Sequence, residues 1–380
     1  MKSQSDTVSK ILKNYDLCEY CTGRIISKIV GKPSSKFLGK KYLKKLGKSD
    51  HKTCYICKNI FDSLEFVLSN IFEKSSHFDF KTFHLGITLK PSFLERDDYL
   101  KSKFKIKGIE NIKFGIAKEL AKKISRRTNS KRITDDPDMF IQANFKDESC
   151  ILRAKPMFVY GRYNKKIRKL PQKQGLCRSC NGIGCHNCDF KGIENLQSIE
   201  GKISNLFIKK FDCNQVKINW IGGEDQSSLV LGKGRPFFAK ILNPKRRNRI
   251  LRKFSDLDGV NLFELQKIHL QPKGSIPFKS EVSITIDTKK PISLNQLKKL
   301  KILENAVIQD FSRDKRSIKK RIYKDGYKKL GKTSFILDLF ADGGISIKSL
   351  IQQSDIVPNV SELLENQCEC KKFDFKNIVV

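Results

Sequence analysis

Residues 215–242 read QVKINWIGGEDQSSLVLGKGRPFFAKIL. Apolar and polar residues alternate up to Ile221, and an apolar run resumes after Pro236, so the stretch predicts a strand, a turn and a second strand. Gly222-Gly223 followed by Glu224-Asp225 closes the first strand, and Gly232-Lys233-Gly234-Arg235-Pro236 leads into the second. Side chains alternate faces along an extended backbone, so only one of Glu224 and Asp225 can enter a cleft there. Taken alone, Gly-Gly-Glu-Asp is more often a surface turn, and Gly-Lys-Gly is often just a hairpin.

Just before this stretch, residues 196–211 predict a helix. Strands follow near 215–221, 236–242, 261–270 and 281–287, then a helix near 293–303. Further strands are expected near 305–311, 318–324 and 333–341, short helices after Gly344 and Asn359, and a last strand over 370–380. Towards the N-terminus, 1–60 is helical and basic. Residues 60–72 and 109–123 have helical spacing, and 78–89, 139–145 and 150–160 have strand-like alternation. The class is therefore α+β, with a basic connector over 165–173 and a Cys/Gly-rich insert over 177–192.

The chain has 380 residues, with 76 Lys+Arg against 40 Asp+Glu, a net charge of +36. That balance points to a polyanionic partner, nucleic acid first, with a merely solvated basic surface as the alternative. No stretch reaches the ~18–20 apolar residues of a membrane helix, and Met1-Lys2-Ser3-Gln4 leads into no apolar signal region. A cytoplasmic location and no membrane partner are expected.

Of the 12 cysteines, eight fall in C-x-x-C pairs. Cys18 and Cys21 with Cys54 and Cys57 supply four thiolates from two tight turns, the donor set of a tetrahedral zinc site. The 32 intervening residues require a helical hairpin to bring the turns together. Cys177, Cys180, Cys185 and Cys188 form a second set among Gly182, Gly184 and Gly192; zinc fits, and an iron–sulfur cluster shares the ligand type. His51 near the first set, and Cys150, Cys213, Cys368 and Cys370, read as an exposed histidine and small buried hydrophobes. No Ser/His/Asp triad can be drawn from the five histidines, and phosphate-loop and dinucleotide fingerprints are missing.

The ordered motifs resemble those of the THUMP-containing tRNA pseudouridine-54/55 synthases of archaea and eukaryotes. The resemblance rests on Leu17-Cys18-Glu19-Tyr20-Cys21 with Cys54 and Cys57, on Phe158-Val159-Tyr160-Gly161-Arg162-Tyr163 with Arg168-Lys169-Leu170-Pro171-Gln172, and on the 177–188 cluster. Gly222-x-Glu224-Asp225 with Leu231-Gly232-x-Gly234-Arg235-Pro236-Phe237 and the ending from Asp342 complete it.

It implies a zinc-binding helical region at 1–60, a THUMP-like RNA-binding module at 61–175, a four-cysteine zinc insert at 176–195 and a catalytic domain at 196–380. The last would be mixed α/β around an antiparallel-rich sheet. It also implies a monomer, tRNA as partner, two structural zinc ions and no organic cofactor. Asp225 becomes the nucleophile that isomerises uridine 54, 55 or both in the T-arm; the alternative is an impaired relative that binds tRNA through the same architecture or acts as an RNA chaperone.

This chain departs from the family pattern at Gly223 and Ser227, where the family has Arg and Asp. Val282 and Ser346 fall at the family's tyrosine positions. Arg235 or Lys348 is then expected to supply the cation beside Asp225. Arg162, Lys165, Lys166, Arg168 and Lys169, with Lys245, Arg246, Arg247 and Arg249, are the expected RNA contacts.

Overall fold

In a computed structural model the chain divides into two units, residues 1–155 with 245–247, and 156–244 with 248–380. The structure describes all residues except 1, 31–34, 49–52, 176, 182, 184, 189–196, 255–256, 311–317 and 353–355. The side chains at 2–6, 28–30, 188 and 318 also lie outside the description. His51, Gly182, Gly184 and Gly192 are therefore outside it, as is the Cys188 side chain.

The first unit runs α1 (Lys2–Asn14), α2 (Glu19–Val30), α3 (Lys36–Lys45), α4 (Leu64–Ser75), β1 (Thr82–Thr88), α5 (Pro91–Lys103), α6 (Ile112–Thr128), β2 (Lys131–Arg132), β3 (Met139–Asn144) and β4 (Ser149–Ala154). Its sheet has the order β2-β1-β3-β4, with β1 parallel to both neighbours and β3 antiparallel to β4. Phe83, Leu85 and Ile87 alternate inward on β1, and Ile112, Ile116, Leu120 and Ile124 form the matching helical stripe on α6. α2 and α3 meet backbone to backbone. A Cβ on Gly39 would lie 1.8 Å from the Glu19 carbonyl oxygen, so only glycine allows this crossing.

A buried ion pair locks the helices. Arg24, 2% exposed, donates to both carboxylate oxygens of Asp97, 1% exposed, and to the Glu110 carbonyl. Asp97 also accepts from the Ile112 amide at 3.1 Å and pairs with Lys101 at 2.7 Å.

The second unit comprises β5 (Met157–Lys165), α7 (Ile199–Phe211), β6 (Gln215–Trp220), β7 (Leu229–Leu242), β8 (Val260–Ile268), β9 (Lys279–Thr288), α8 (Leu294–Lys298), β10 (Val307–Asp310), β11 (Ile318–Lys329), β12 (Ser334–Asp342), α9 (Ile347–Gln352), β13 (Ile356–Val357), α10 (Val360–Leu364) and β14 (Cys368–Val379). One sheet runs β13-β10-β11-β12-β9-β14-β7-β5-β8, with β6 also on β7. Every pairing in it is antiparallel except β14 with β7. The class is the expected α+β with an antiparallel-rich sheet. α7 packs on β6 through Ile199, Ile203, Phe207 and Phe211, and α9 packs on β14.

Most expected elements appear within a few residues of their sequence positions. The stretch 150–160 splits, because the chain turns at Lys155-Pro156 and β5 joins the large sheet. The boundary between the units thus falls at 155/156, not near 175.

Asp97→Ala leaves Arg24 buried without its counter-ion and should cost roughly 3–5 kcal/mol in the first unit. The expected result in urea is an earlier loss of helical circular dichroism, with the fluorescence of Trp220, the sole tryptophan, which lies in the second unit, following its unchanged transition.

Candidate active site and metal centres

The Gly222-Gly223-Glu224-Asp225 loop leaves the end of β6, and its two carboxylates do part company. Glu224 points inward and is fully buried; Asp225 points outward with its side chain 27% exposed. A buried carboxylate requires partners. Lys165 Nζ lies 3.2 Å from Glu224 Oε1, while Arg235 Nε at 3.2 Å and the Tyr163 hydroxyl at 2.9 Å donate to Oε2. Burial, then Glu224 itself, pushes the Tyr163 phenol well above its usual range, so it remains a donor. Burial pulls the Lys165 ammonium down, and Glu224 opposes this. Gln172 Nε2 completes the cluster by donating to the Tyr163 oxygen at 3.0 Å.

Lys165 also pins the loop from beneath. Its Nζ donates to the carbonyls of Leu170 at 3.2 Å, Asp225 at 3.1 Å and Gln226 at 3.4 Å. Above this base, Asp225 Oδ1 accepts from the Ser227 amide at 2.9 Å and hydroxyl at 2.6 Å. Asp225 Oδ2 accepts from Lys348 Nζ at 2.7 Å. Partial burial raises the Asp225 pKa, but the bonds from Lys348 and Ser227 outweigh it and hold the acid at about 2. The ammonium expected beside Asp225 is therefore that of Lys348, on α9. Arg235 is spent on Glu224 and on the Ile221 carbonyl at 2.9 Å.

Two spaces adjoin the loop. A cleft of about 710 Å³ is lined by Trp220, Gly222, Phe278, Lys319, Lys320 and Asp342 among others. A cavity of about 40 Å³ is bounded by Gly223, Phe278, Val282, Leu339 and Phe375, with Ser280 and Asp342 as polar lining. Val282 thus reaches the site's wall but is 3% exposed and paired opposite Leu339 and Phe375. The Ser346 hydroxyl lies 2.8 Å from that of Ser349. Neither position presents a ring.

Two of the expected RNA contacts are corrected. Lys165 is 0% exposed and occupied as described. Arg162 is 8% exposed and donates to the carbonyls of Lys233, Gly234 and Ile378, bracing β5 against its neighbours. A charge inside a strand pairing cannot meet a phosphate. Arg168 is half-buried on Asp374, with two contacts at 2.8 Å, and Arg247 donates to the Lys155 carbonyl at 2.7 Å. Lys245 is partly exposed, and Lys166, Lys169, Arg246 and Arg249 are exposed. Sequence reasoning missed the supporting roles of Tyr163 and Gln172. Their signal was present in the quoted motifs, but a lone Tyr or Gln carries no chemistry until the fold sets it against Glu224.

The Sγ atoms of Cys18, Cys21, Cys54 and Cys57 all lie within 4.8 Å of one another, Cys18 and Cys57 at 3.5 Å. Tetrahedral ligands ~2.3 Å from one ion stand about 3.8 Å apart, so the set fits a metal. The second turn is held by the Tyr55 amide on the Asp16 carbonyl at 2.7 Å. Cys177, Cys180 and Cys185 also converge within 4.8 Å, with Cys177 and Cys185 3.8 Å apart. Each cluster can hold a metal ion. No helix among the described residues is long and apolar enough to cross a membrane.

Comparison with known proteins bears on this arrangement. Residues 158–379 match the family model for the Pus10 C-terminal region, and 68–144 match that for the archaeal Pus10 THUMP domain. The chain is 41% identical over 98% of its length to the tRNA pseudouridine synthase Pus10 of Nitrosopumilus maritimus, covering 97% of that protein. It is 30% identical over 97% of its length to the Pus10 of Cenarchaeum symbiosum, covering 91% of that protein. A solved Cbf5–Nop10–Gar1 complex aligns over 57% of this chain and 49% of its own at 10% identity and a TM-score of 0.32, too distant a likeness to carry a functional conclusion.

Lys165→Met strips Glu224 of a counter-ion and three carbonyls of their donor. It should lower stability by roughly 3–5 kcal/mol, whereas exposed Lys166→Met stays within about 0.5 kcal/mol; denaturant titration of Trp220 fluorescence reads both. The Asp225 carboxyl should titrate near pH 2 by carbon-detected NMR and rise towards the ordinary ~3.9 in Lys348→Met.

Proposed function

This chain belongs to the Pus10 family, and on that footing we propose that it is a tRNA pseudouridine synthase, isomerising uridine 54, uridine 55 or both in the T-arm with Asp225 as nucleophile. The observation that carries the reading is the state of Asp225. It is partly exposed, ionised throughout the physiological range, and oriented by Lys348 and Ser227 on the loop whose Gly222 lines the cleft.

The reaction breaks the N1–C1′ bond of the uridine, turns the base and forms a C5–C1′ bond. C5 gives up a proton and N1 gains one, so no electrons are exchanged and no organic cofactor is required. The target base first leaves the RNA stack, at a cost of a few kcal/mol. A fixed carboxylate can then hold the substrate covalently while the base turns. Lys348 keeps Asp225 in its attacking rotamer, the task that the family's Arg at position 223 would otherwise serve. Lys319 and Lys320 on the cleft wall suit flanking phosphates, and Lys166, Lys169, Arg246 and Arg249 offer exposed charge for the rest of the tRNA.

The second reading is a tRNA-binding relative that does not turn over. It is favoured by Val282 and Ser346, which supply no ring to stack on a base. Both metal clusters are assigned to structural zinc, which would fasten turns and take no part in the chemistry. Cys188 is the proposed fourth ligand of the second.

The deciding measurement is pseudouridine mapping in T-arm transcripts. Asp225→Asn should abolish modification while tRNA affinity survives; an active variant overturns the assignment, and an inactive wild type that binds tRNA tightly establishes the second reading. Lys348→Met removes a charge-assisted hydrogen bond of ~1.5–3 kcal/mol, an expected rate loss of roughly 10–150-fold. Affinity should fall with salt at a logarithmic slope of about 0.7–0.9 per phosphate contacted. Elemental analysis should find zinc, and a strong chelator should unfold the first unit.

A further inference from the structure

The ring of Phe278 packs closely against two glycines. A Cβ on Gly222 would lie 2.3 Å from Phe278 Cζ, and one on Gly343 would lie 2.2 Å from its Cε2. Either contact is closer than packed atoms approach, so any side chain at Gly222 or Gly343 would collide with the ring.

Phe278 also separates the two spaces at the site, lining both the 710 Å³ cleft and the 40 Å³ cavity. The cavity reaches Gly223, two residues before Asp225, and Ile347, next to Lys348. At about 40 Å³ it is small beside the 710 Å³ of the cleft. If the Phe278 ring leaves, the space it vacates joins the cavity, whose wall reaches the chain neighbours of Asp225 and Lys348. The cleft gives the ring somewhere to go. Phe278 is half-buried, and the preceding segment is irregular and largely exposed, with Gly274 touching nothing within 4 Å. The Phe278 carbonyl is held by the Gly343 amide at 2.7 Å, so a side-chain rotation suffices and the backbone stays.

We propose that Phe278 is a plug: in the free protein its ring occupies the place of the target uracil, and the flipped base displaces it into the cleft. This makes Phe278 a positioning and selectivity residue. It separates the cavity at Gly223 from the cleft, and it yields to a planar ring delivered by the right RNA. The inference rests on the proposed synthase reading.

The test compares two T-arm hairpin RNAs, one with uridine at positions 54 and 55 and one carrying abasic ribose there. Removing the competing ring should let Phe278→Ala bind the intact hairpin several-fold more tightly than wild type, with affinity for the abasic hairpin unchanged. Phe278→Leu, which keeps an apolar side chain against the glycines, should shift the intact hairpin in the same direction by less, and serves if the alanine variant does not fold. Trp220 lines the same cleft and should change its fluorescence when wild type binds the intact hairpin but not the abasic one. Equal changes for both hairpins, no change, or weaker binding of the intact hairpin alone would overturn the plug. Binding needs no turnover, so a wild type that makes no pseudouridine would overturn the synthase reading and leave this comparison decisive on its own.

Discussion

A single buried carboxylate organises the second unit around its site. Glu224 has no access to water, and such a charge is tolerated only where several groups of opposite charge or donor character converge on it. Lys165 and Tyr163 come from β5, and Arg235 from β7. Tyr163 and Arg235 are register partners in that antiparallel pair, so the sheet itself delivers the donors to one point. A slip of one residue in this pairing would turn every one of them to the opposite face. The loop is thus bound to the register of β7, which follows it directly, against β5, which lies well before it in the sequence.

What Glu224 fixes below, Asp225 uses above. Consecutive residues on an extended backbone face opposite ways, and burial of the first commits the second to the surface. Lys165 then ties the Asp225 and Gln226 carbonyls to the same buried cluster, so the loop has little freedom left. The ammonium that pairs with Asp225 comes from 123 residues further on, on a six-residue helix packed against β14. A Cβ at Gly223 would have only Gln172 Oε1, 4.0 Å away, within reach. Space for a side chain exists there, yet the cation arrives from the other side of the chain. The electrostatic requirement is met by Lys348 although the local motif has lost its Arg.

The first unit depends on a different constraint. Its helices carry few long apolar stretches, and its N-terminal part is joined by two cysteine turns, a glycine crossing and the Arg24–Asp97 pair. These are short-range, directional contacts that add to its buried apolar core. A metal at the four converging thiolates would close the loop between the turns, which is the most effective place for such a link.

The succession of elements, the α+β class, the cysteine clusters and the opposed directions of Glu224 and Asp225 were all legible in the amino-acid order. Periodicity, C-x-x-C spacing and the alternation of an extended chain are local properties, written in residues close to one another. The split of 150–160 was less legible, because a strand entering a different sheet has the same alternation as one that stays. Lys165 and Arg162 read as RNA contacts because a basic run looks the same whether it lies on a surface or crosses a sheet. It took the folded chain to show that Lys348 and not Arg235 meets Asp225, that Arg235 serves Glu224, and that Phe278 packs against Gly222 and Gly343. The meeting of these residues is set by strand register and packing, which no local pattern records.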